Sequence, residues 1–570
     1  MSRHEALVSR CRQTASRMRT RLSALSRCMQ KTTDAASKPL RIGRTGRTGW
    51  LRTQRSALML AAGLLCAACT PFELSSGTPS TYDSNQPLDA QNPDAPLVGL
   101  AISGGGNRAA LFTSYVIELL GSVPVVVATD KDPAAAAPVS LLNTVSYVSS
   151  VSGGSFAAAY FGIRGLGNYD PMLKDDPLPK KYTDFFNNFH ATMNANWTAS
   201  LFGLDGLPFG SAAARLKHSV DARIANGATF RDLDQREASK SSPYLIFNTT
   251  HYDSGRRFVM TTIPTTQFCL NVEQLLVDIV QTPSANQPDI DAQRRAKLGE
   301  CDRTDALTPE GFDSFFNPRM TAVASADFPI AQAVATSGAF PVAVGPIAYR
   351  VDNSRDLLHL IDGGVADNSG VESLVQLFLR KLIENPKRRG MIIELNAGLP
   401  FNARGTAIAD DSQPLTAIID DPTRLSDIQE VRASLYRQDL WLLTENVAKT
   451  MKHSTNAVTR LDIKQLQHTD LRANALHIDT ATCHVHFDDA RSVREAVRNI
   501  PTSYHLDPCS ADLVRIAACW SVHQHAAELQ SFFSGTGDAG NAHASPAPDL
   551  SVLDKRIRST CPELAASGAL

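Results

Sequence analysis

SYVSSVSGGSFAAAYF, residues 146–161, is the stretch on which the reading of this chain turns. A run rich in β-branched and small residues enters Ser152-Gly153-Gly154, and a small-residue helix pattern follows at once. Strand, sharp turn and helix form the context in which a serine is held up as a nucleophile. Serines beside glycines also make ordinary turns, so the stretch alone supports both readings. A nucleophile elbow needs small residues two before and two after the serine, because strand and helix pass close together there. Ser150 and Gly154 fill those places, with Ser150 standing where the G-x-S-x-G pattern has glycine. Ser149, Ser150 and Ser155 compete for the role. Only Ser152 has small residues at both positions together with glycine at +1.

Outward from this stretch, strand and helix patterns alternate. LVGLAIS (97–103) is an apolar strand-like run, and NRAALFTSYVIELLG (107–121) has apolar residues at helical spacing with a closing glycine. VPVVVAT, TVSYVSS, LLHLID and GMIIELN are further strand candidates. PYLIFNTTHYDSGRRFVMTTIP reads as two strands around an Asp253-Ser254-Gly255 turn. RLSDIQEVRASLYRQDLWLLTENVAKTM is a long amphipathic helix pattern, and no internal repeat is visible. KKYTDFFNNFHATMNANWTASLF, beginning at Lys180, is an aromatic-rich helical pattern that suits a helix packed over the core better than a lipid-facing lid. Alternation of this kind predicts an α/β fold around parallel strands.

Two further motifs carry chemistry. Ser103-Gly104-Gly105-Gly106-Asn107-Arg108 lies at a strand-to-helix junction. Its glycines let backbone N–H groups approach a ligand oxygen, and a helix N-terminus favours negative charge there. The G-x-G-x-x-G spacing of a dinucleotide site fails at Ala109, and no Gly-Lys-Ser/Thr follows, so a loop for a transition-state oxyanion fits better. Asp362, followed by Gly363-Gly364, ends a buried-strand pattern. Open α/β sheets put their sites at the C-terminal ends of strands, although an isolated Asp-Gly-Gly is more often a turn.

SGGGNR, then VSGGS about fifty residues later, then DGG far downstream, resemble in that order the patatin-like phospholipases. IAQAVATSGAFPVAVGP (330–346) resembles the family's Ser/Ala-rich helix that ends in Phe-Pro, and IPTSYHL (500–506) a late element of its bacterial lipoprotein members. The resemblance implies a three-layer sandwich with a mostly parallel central sheet. It implies Ser152 as nucleophile, Asp362 as its partner, Gly104, Gly105 and Gly106 as the oxyanion hole, and Arg108 near the acyl or phosphate group. The implied reaction is hydrolysis of fatty-acyl esters in phospholipids or related lipids, with no metal and no cofactor. A dyad lacking histidine needs an aspartate made basic by burial and leaves more of the work to the oxyanion loop. A Ser-His-Asp triad drawing on a residue such as His190, His251 or His359 is the runner-up mechanism. The same residues also suit an acyltransferase, and a catalytically silent envelope lipoprotein is the reading from a different class.

The ends of the chain bear on location. Residues 1–55 hold fourteen Lys/Arg against two acids; removing them from the chain's 56 bases and 57 acids leaves 42 and 55, a net of −13. An acidic remainder argues against nucleic acid as a partner. The basic flank, the short apolar run SALMLAAGLLCAA and Ala67-Ala68-Cys69 read as an export signal resembling a lipobox, with Cys66 departing from it. Residues 1–69 are thus expected to be a basic leader and signal peptide with Cys69 lipidated, and 70–95 a linker. Residues 96–535 would be the catalytic domain, with an insertion near 265–318, and 536–570 a tail. That organisation predicts a protein of the bacterial cell envelope, held at a membrane surface by a lipid anchor, or a secreted one. Six cysteines lie beyond the signal: Cys269, Cys301, Cys483, Cys509, Cys519 and Cys561. An even number in an exported chain suggests disulfides, with Cys269–Cys301 the favoured pair. Zinc at Cys483-His484-Val485-His486 is disfavoured for want of further ligands.

Overall fold

The alternating patterns build a main sheet of ten described strands with helices on both of its faces. The computed structural model describes residues 72–74, 95–127, 137–174, 177–201, 211–263, 265–268, 313–314, 327–341, 344–351, 357–385, 388–398, 461–469, 482–483, 490–533 and 548–566. Twelve strands are described: β1 (Phe72–Leu74), β2 (Leu97–Ile102), β3 (Pro124–Val125), β4 (Val139–Ser140), β5 (Tyr147–Val151), β6 (Tyr244–His251), β7 (Arg257–Thr261), β8 (Asp313–Ser314), β9 (Ile347–Val351), β10 (Leu357–Asp362), β11 (Gly390–Asn396) and β12 (Leu461–Gln467). The helices that matter for the site are α1 (Gly106–Gly121), α2 (Gly153–Arg164), α3 (Lys180–Met193), α4 (Trp197–Leu201), α5 (Ile330–Ser337), α6 (Val371–Glu384), α7 (Pro508–Phe533) and α8 (Ser551–Thr560).

Hydrogen-bonded neighbours run β1-β9-β10-β6-β5-β2-β11-β12, with β7 and β8 continuing from β6. The strands from β6 through β5, β2 and β11 to β12 are all parallel, as alternation with helices requires. β10 runs antiparallel to β6 and to β9. The register of β6 fixes the site. Ile246 to Asn248 pair with β5 and with β7, whereas Thr249 and Thr250 pair with β10 and with β7. A strand has two edges, so β5 and β10 share the edge opposite β7. They run towards each other along it and stop head to head, Val151 facing Asn248 and Asp362 facing Thr249.

Side chains alternate across β2. Val98, Leu100 and Ile102 join the core shared with α1, α2 and α7, while Leu97 and Ala101 face the second core with α6. Both strand faces are therefore buried, and β2 reads as an unbroken apolar run. The aromatic segment forms α3, whose Tyr182, Phe185, Phe186, Phe189 and Met193 are all buried. Phe189 stacks on Tyr160 of α2 with centroids 4.7 Å apart, so this helix is a core cover.

Several expectations change. Pro124–Val125 forms a two-residue strand that pairs with β4 outside the main sheet. Phe72–Leu74, inside the expected linker, forms a parallel edge strand on β9, with the Phe72 ring 5.9 Å from that of Tyr349. The boundary drawn at 535 cuts off core residues: Leu553 and Ile557 of α8 and Leu564 are buried, and Cys561 is bridged to Cys519 of α7. The other described disulfide joins Cys483 to Cys509, which removes Cys483 from metal binding. The expected Cys269–Cys301 pair, Cys69, most of the 265–318 insertion and the helix pattern at 424–451 lie outside the described residues.

Candidate active site

Ser152 sits immediately after β5 at φ 50° and ψ −124°, a backbone conformation that a side chain adopts only when its surroundings enforce it. The enforcement is visible. The Ser152 amide donates to Ser337 Oγ at 3.0 Å, and Ser337 Oγ in turn donates to the Asn248 carbonyl at 2.6 Å. Asn248 is fully buried in β6 and donates through Nδ2 to Ser149 Oγ and to the Ser150 carbonyl. The two glycines after the serine answer to close packing. A Cβ on Gly153 would lie 2.0 Å from the Gly106 carbonyl oxygen, and one on Gly154 would lie 2.5 Å from that of Ser103. The strand-turn-helix and the glycine loop are thus pressed together, and a larger residue at either position separates them.

Because β5 and β10 meet on one edge of β6, Ser152 and Asp362 become neighbours although 210 residues separate them. Ser152 Oγ donates to Asp362 Oδ2 at 2.7 Å, and the Gly364 amide donates to Oδ1 at 2.8 Å. Asp362 is 4 % exposed. Burial pushes its carboxyl up from 3.8 to about 6, against the pull of the Ser152 and Gly364 hydrogen bonds. A group with that affinity for protons is a far better base towards a serine hydroxyl than a solvated aspartate. Among the described residues no histidine is hydrogen-bonded to Ser152 or Asp362. His251 and His359 share Asp253 at the surface, and His190 bonds Glu118 and Ser114.

The glycine loop divides in its hydrogen bonding. The Gly104 amide donates to the Asn368 carbonyl at 2.8 Å and so is already engaged. The amides of Gly105 and Gly106 have no acceptor among the described residues. These two glycines have φ of 135° and 59°, which turn the chain into the N-terminus of α1. The Asn107 amide is taken by the carbonyl of Ser503, which packs onto Gly106 from the 500–506 segment.

Arg108 departs from its expected place at the substrate. It is fully buried, with Nε 2.7 Å from the Ala397 carbonyl, Nη1 on the Ile500 carbonyl and Nη2 3.2 Å from Thr502 Oγ1. A guanidinium held by the Ala397 and Ile500 carbonyls and the Thr502 hydroxyl ties α1 to the end of β11 and to the 500–502 chain, and from there it supports the loop.

Four site residues were not singled out from the sequence: Asn248, Ser337, Asn368 and Tyr504. Tyr504 donates its hydroxyl to the Gly338 carbonyl at 2.8 Å and stands close enough to Asp362 for that charge to raise its own affinity for protons, after burial. A polar residue within the apolar run LIFN, and a serine closing an apolar helix, are the signals that could have pointed to Asn248 and Ser337. Among the described residues no cluster of His, Cys, Asp and Glu is arranged to hold a metal ion, and no helix is long and apolar enough to cross a membrane.

The model of the family described as patatin-like phospholipase matches residues 100–375, a span that begins in β2 and ends in α6. The crystal structure of VipD from Legionella pneumophila is similar at 9% identity over 84% of this chain and 88% of that chain, with a TM-score of 0.24, too loose a superposition to carry an argument. No curated protein matches the chain.

Proposed function

Over residues 100–375 the chain belongs to the patatin-like phospholipases, a family of lipid acyl hydrolases, and from that premise we propose that it cleaves fatty-acyl esters of phospholipids through a Ser152–Asp362 dyad. Asp362 takes the proton from Ser152 Oγ as that oxygen attacks the acyl carbonyl carbon. The carbonyl oxygen becomes an oxyanion and is received by the Gly105 and Gly106 amides, with the field of the 16-residue helix α1 behind them. Asp362 then passes its proton to the departing alcohol, leaving an acyl-serine. Water, activated by the same carboxylate, releases the fatty acid and restores Ser152. The observation that carries this reading is the 2.7 Å bond from Ser152 to a buried aspartate whose carboxyl is pushed up to about 6.

The setting is an exported one. The basic leader, the short apolar run and Ala67-Ala68-Cys69 support export with a lipid on Cys69, which would hold the domain at a membrane surface in the cell envelope. The disulfides Cys483–Cys509 and Cys519–Cys561 support an oxidising compartment. A fluorophosphonate probe should label Ser152 in the wild type, and mass spectrometry should find free fatty acid after incubation with a mixed phospholipid extract. An unlabelled protein that releases no fatty acid would overturn the assignment.

A further inference from the structure

Three consecutive glycines offer three amides, yet the first is taken by the Asn368 carbonyl. The residue that takes it stands at the site itself. Asp367, fully buried, accepts from the Ser369 amide at 2.9 Å, from Ser369 Oγ at 2.7 Å and from the Glu372 amide at 3.2 Å. These bonds fix the loop that leads from β10 into α6 and set the direction of Asn368. Its carboxamide fills the room that two glycines leave open. A Cβ on Gly104 would lie 2.0 Å from Asn368 Oδ1 and 3.3 Å from Ser152 Cβ, and a Cβ on Gly364 would lie 2.7 Å from Oδ1 and 3.2 Å from Asp362 Oδ1. The carboxamide therefore sits between the glycine loop, the nucleophile and the base. Among the described residues it makes no side-chain hydrogen bond, while the residue is only 7 % exposed.

We propose that Asn368 is a further catalytic residue, whose Nδ2–H donates to the acyl oxygen as it becomes an oxyanion and supplies the donor that Gly104 does not. A half-turn about χ2 exchanges Oδ1 for Nδ2 at the same place, and asparagine is a proven chemical type for this task. The inference rests on the dyad reading above and adds a third donor to it.

The experiment compares wild type, Asn368→Ala, Asn368→Asp and Ser152→Ala on a chromogenic acyl ester, with fluorophosphonate labelling rates and melting temperatures alongside. Asn368→Ala should lower kcat by about 10²–10³ with KM little changed, because the bond forms only as charge develops. Fluorophosphonate labelling should slow in parallel, since the phosphoryl oxygen gathers negative charge in the transition state of fluoride displacement and meets the same donors. Asn368→Asp keeps size but cannot donate and repels the oxyanion, so kcat should fall at least as far while the melting temperature stays near that of the wild type. It is the decisive variant where Asn368→Ala folds poorly. Wild-type kcat and labelling in a folded Asn368→Ala or Asn368→Asp protein, with Ser152→Ala inactive, overturns the role of Asn368 alone. Activity surviving in Ser152→Ala overturns the dyad instead.

Discussion

Among the described residues, Ser114 and Ser152 each head a hydrogen-bonded chain, and the proposed nucleophile is the less promising-looking of the two. Ser114 Oγ is 2.9 Å from His190 Nδ1, and His190 Nε2 is 2.8 Å from Glu118 Oε2, which on paper is the Ser-His-carboxylate order of many hydrolases. Among the described residues the Ser152 hydroxyl bonds Asp362 alone. The backbones differ more than the side chains do. Ser114 is fully buried in mid-helix and already donates to the Leu111 carbonyl at 2.8 Å, one turn back. Ser152 stands half-buried on a strained turn, with the glycine amides beside it. A nucleophile is made by the turn that presents it and by the donors awaiting its product; a chain of hydrogen bonds supplies neither.

The largest effects should therefore fall at the elbow. Ser152→Ala should abolish ester hydrolysis, and Asp362→Asn should lower it by about 10²–10⁴ or more, with the double variant little worse than either. The acid limb of kcat/KM should lie near pH 6, because Asp362 must be deprotonated to act and its carboxyl is pushed up to about 6. Stability should move the other way. The folded state holds this proton more tightly than the unfolded chain, so ionising Asp362 costs folding energy as pH rises from about 4 through 6, on the order of 2–3 kcal/mol above that window. Asp362→Asn should raise the melting temperature at pH 8 and lose that advantage towards pH 4. An Asp362→Asn protein with near-wild-type turnover, or with no stability gain at pH 8, would break the account of the base.

Gly106→Ala comes next. Its φ is 59°, and a Cβ there would lie 2.3 Å from the Ser503 carbonyl oxygen, so the loop must shift and one amide donor is displaced. A loss of about 10²–10³ in kcat is expected, which is the usual effect of removing one oxyanion donor. Ser337→Ala should be milder. It removes the acceptor for the Ser152 amide, a neutral hydrogen bond whose loss is worth about 1 kcal/mol, or roughly a five- to tenfold fall in kcat. Wild-type kcat in a folded Ser337→Ala would mean that the strained turn is held by packing instead.

What could be read from the sequence was local. Ser152 and Asp362 announce themselves through neighbours within two residues, small ones for close packing and glycines for a sharp turn. The α/β class followed from alternating periods in the same way. What could not be read depends on contacts far along the chain. Nothing near Arg108 tells that its guanidinium ends on oxygens of residues 289, 392 and 394 positions away. Nothing near Gly104 tells that Asn368 occupies its amide. The C-terminal helices failed for a related reason: their burial depends on α7, and only the even cysteine count hinted that Cys561 had a partner. Backbone chemistry is written beside the residue that needs it, whereas tertiary hydrogen bonding is written only in the fold.

The smallest effect should come from the other serine, and it sharpens the comparison. Ser114→Ala and His190→Ala should leave kcat and KM within about threefold of wild type, because neither side chain meets the elbow. Their cost should appear in stability. His190 pairs with Glu118 where both are largely buried, and its ring stacks on Tyr115 with centroids 3.9 Å apart, so removing it strands a carboxylate and opens a gap between α1 and α3. A loss of about 1–3 kcal/mol is expected for His190→Ala, and about 1 kcal/mol for Ser114→Ala, read by chemical denaturation. Fluorophosphonate should label neither variant at residue 114 and both at residue 152. A folded His190→Ala protein whose turnover fell a thousandfold with Ser152 still present would hand the chemistry to the histidine and make the dyad wrong.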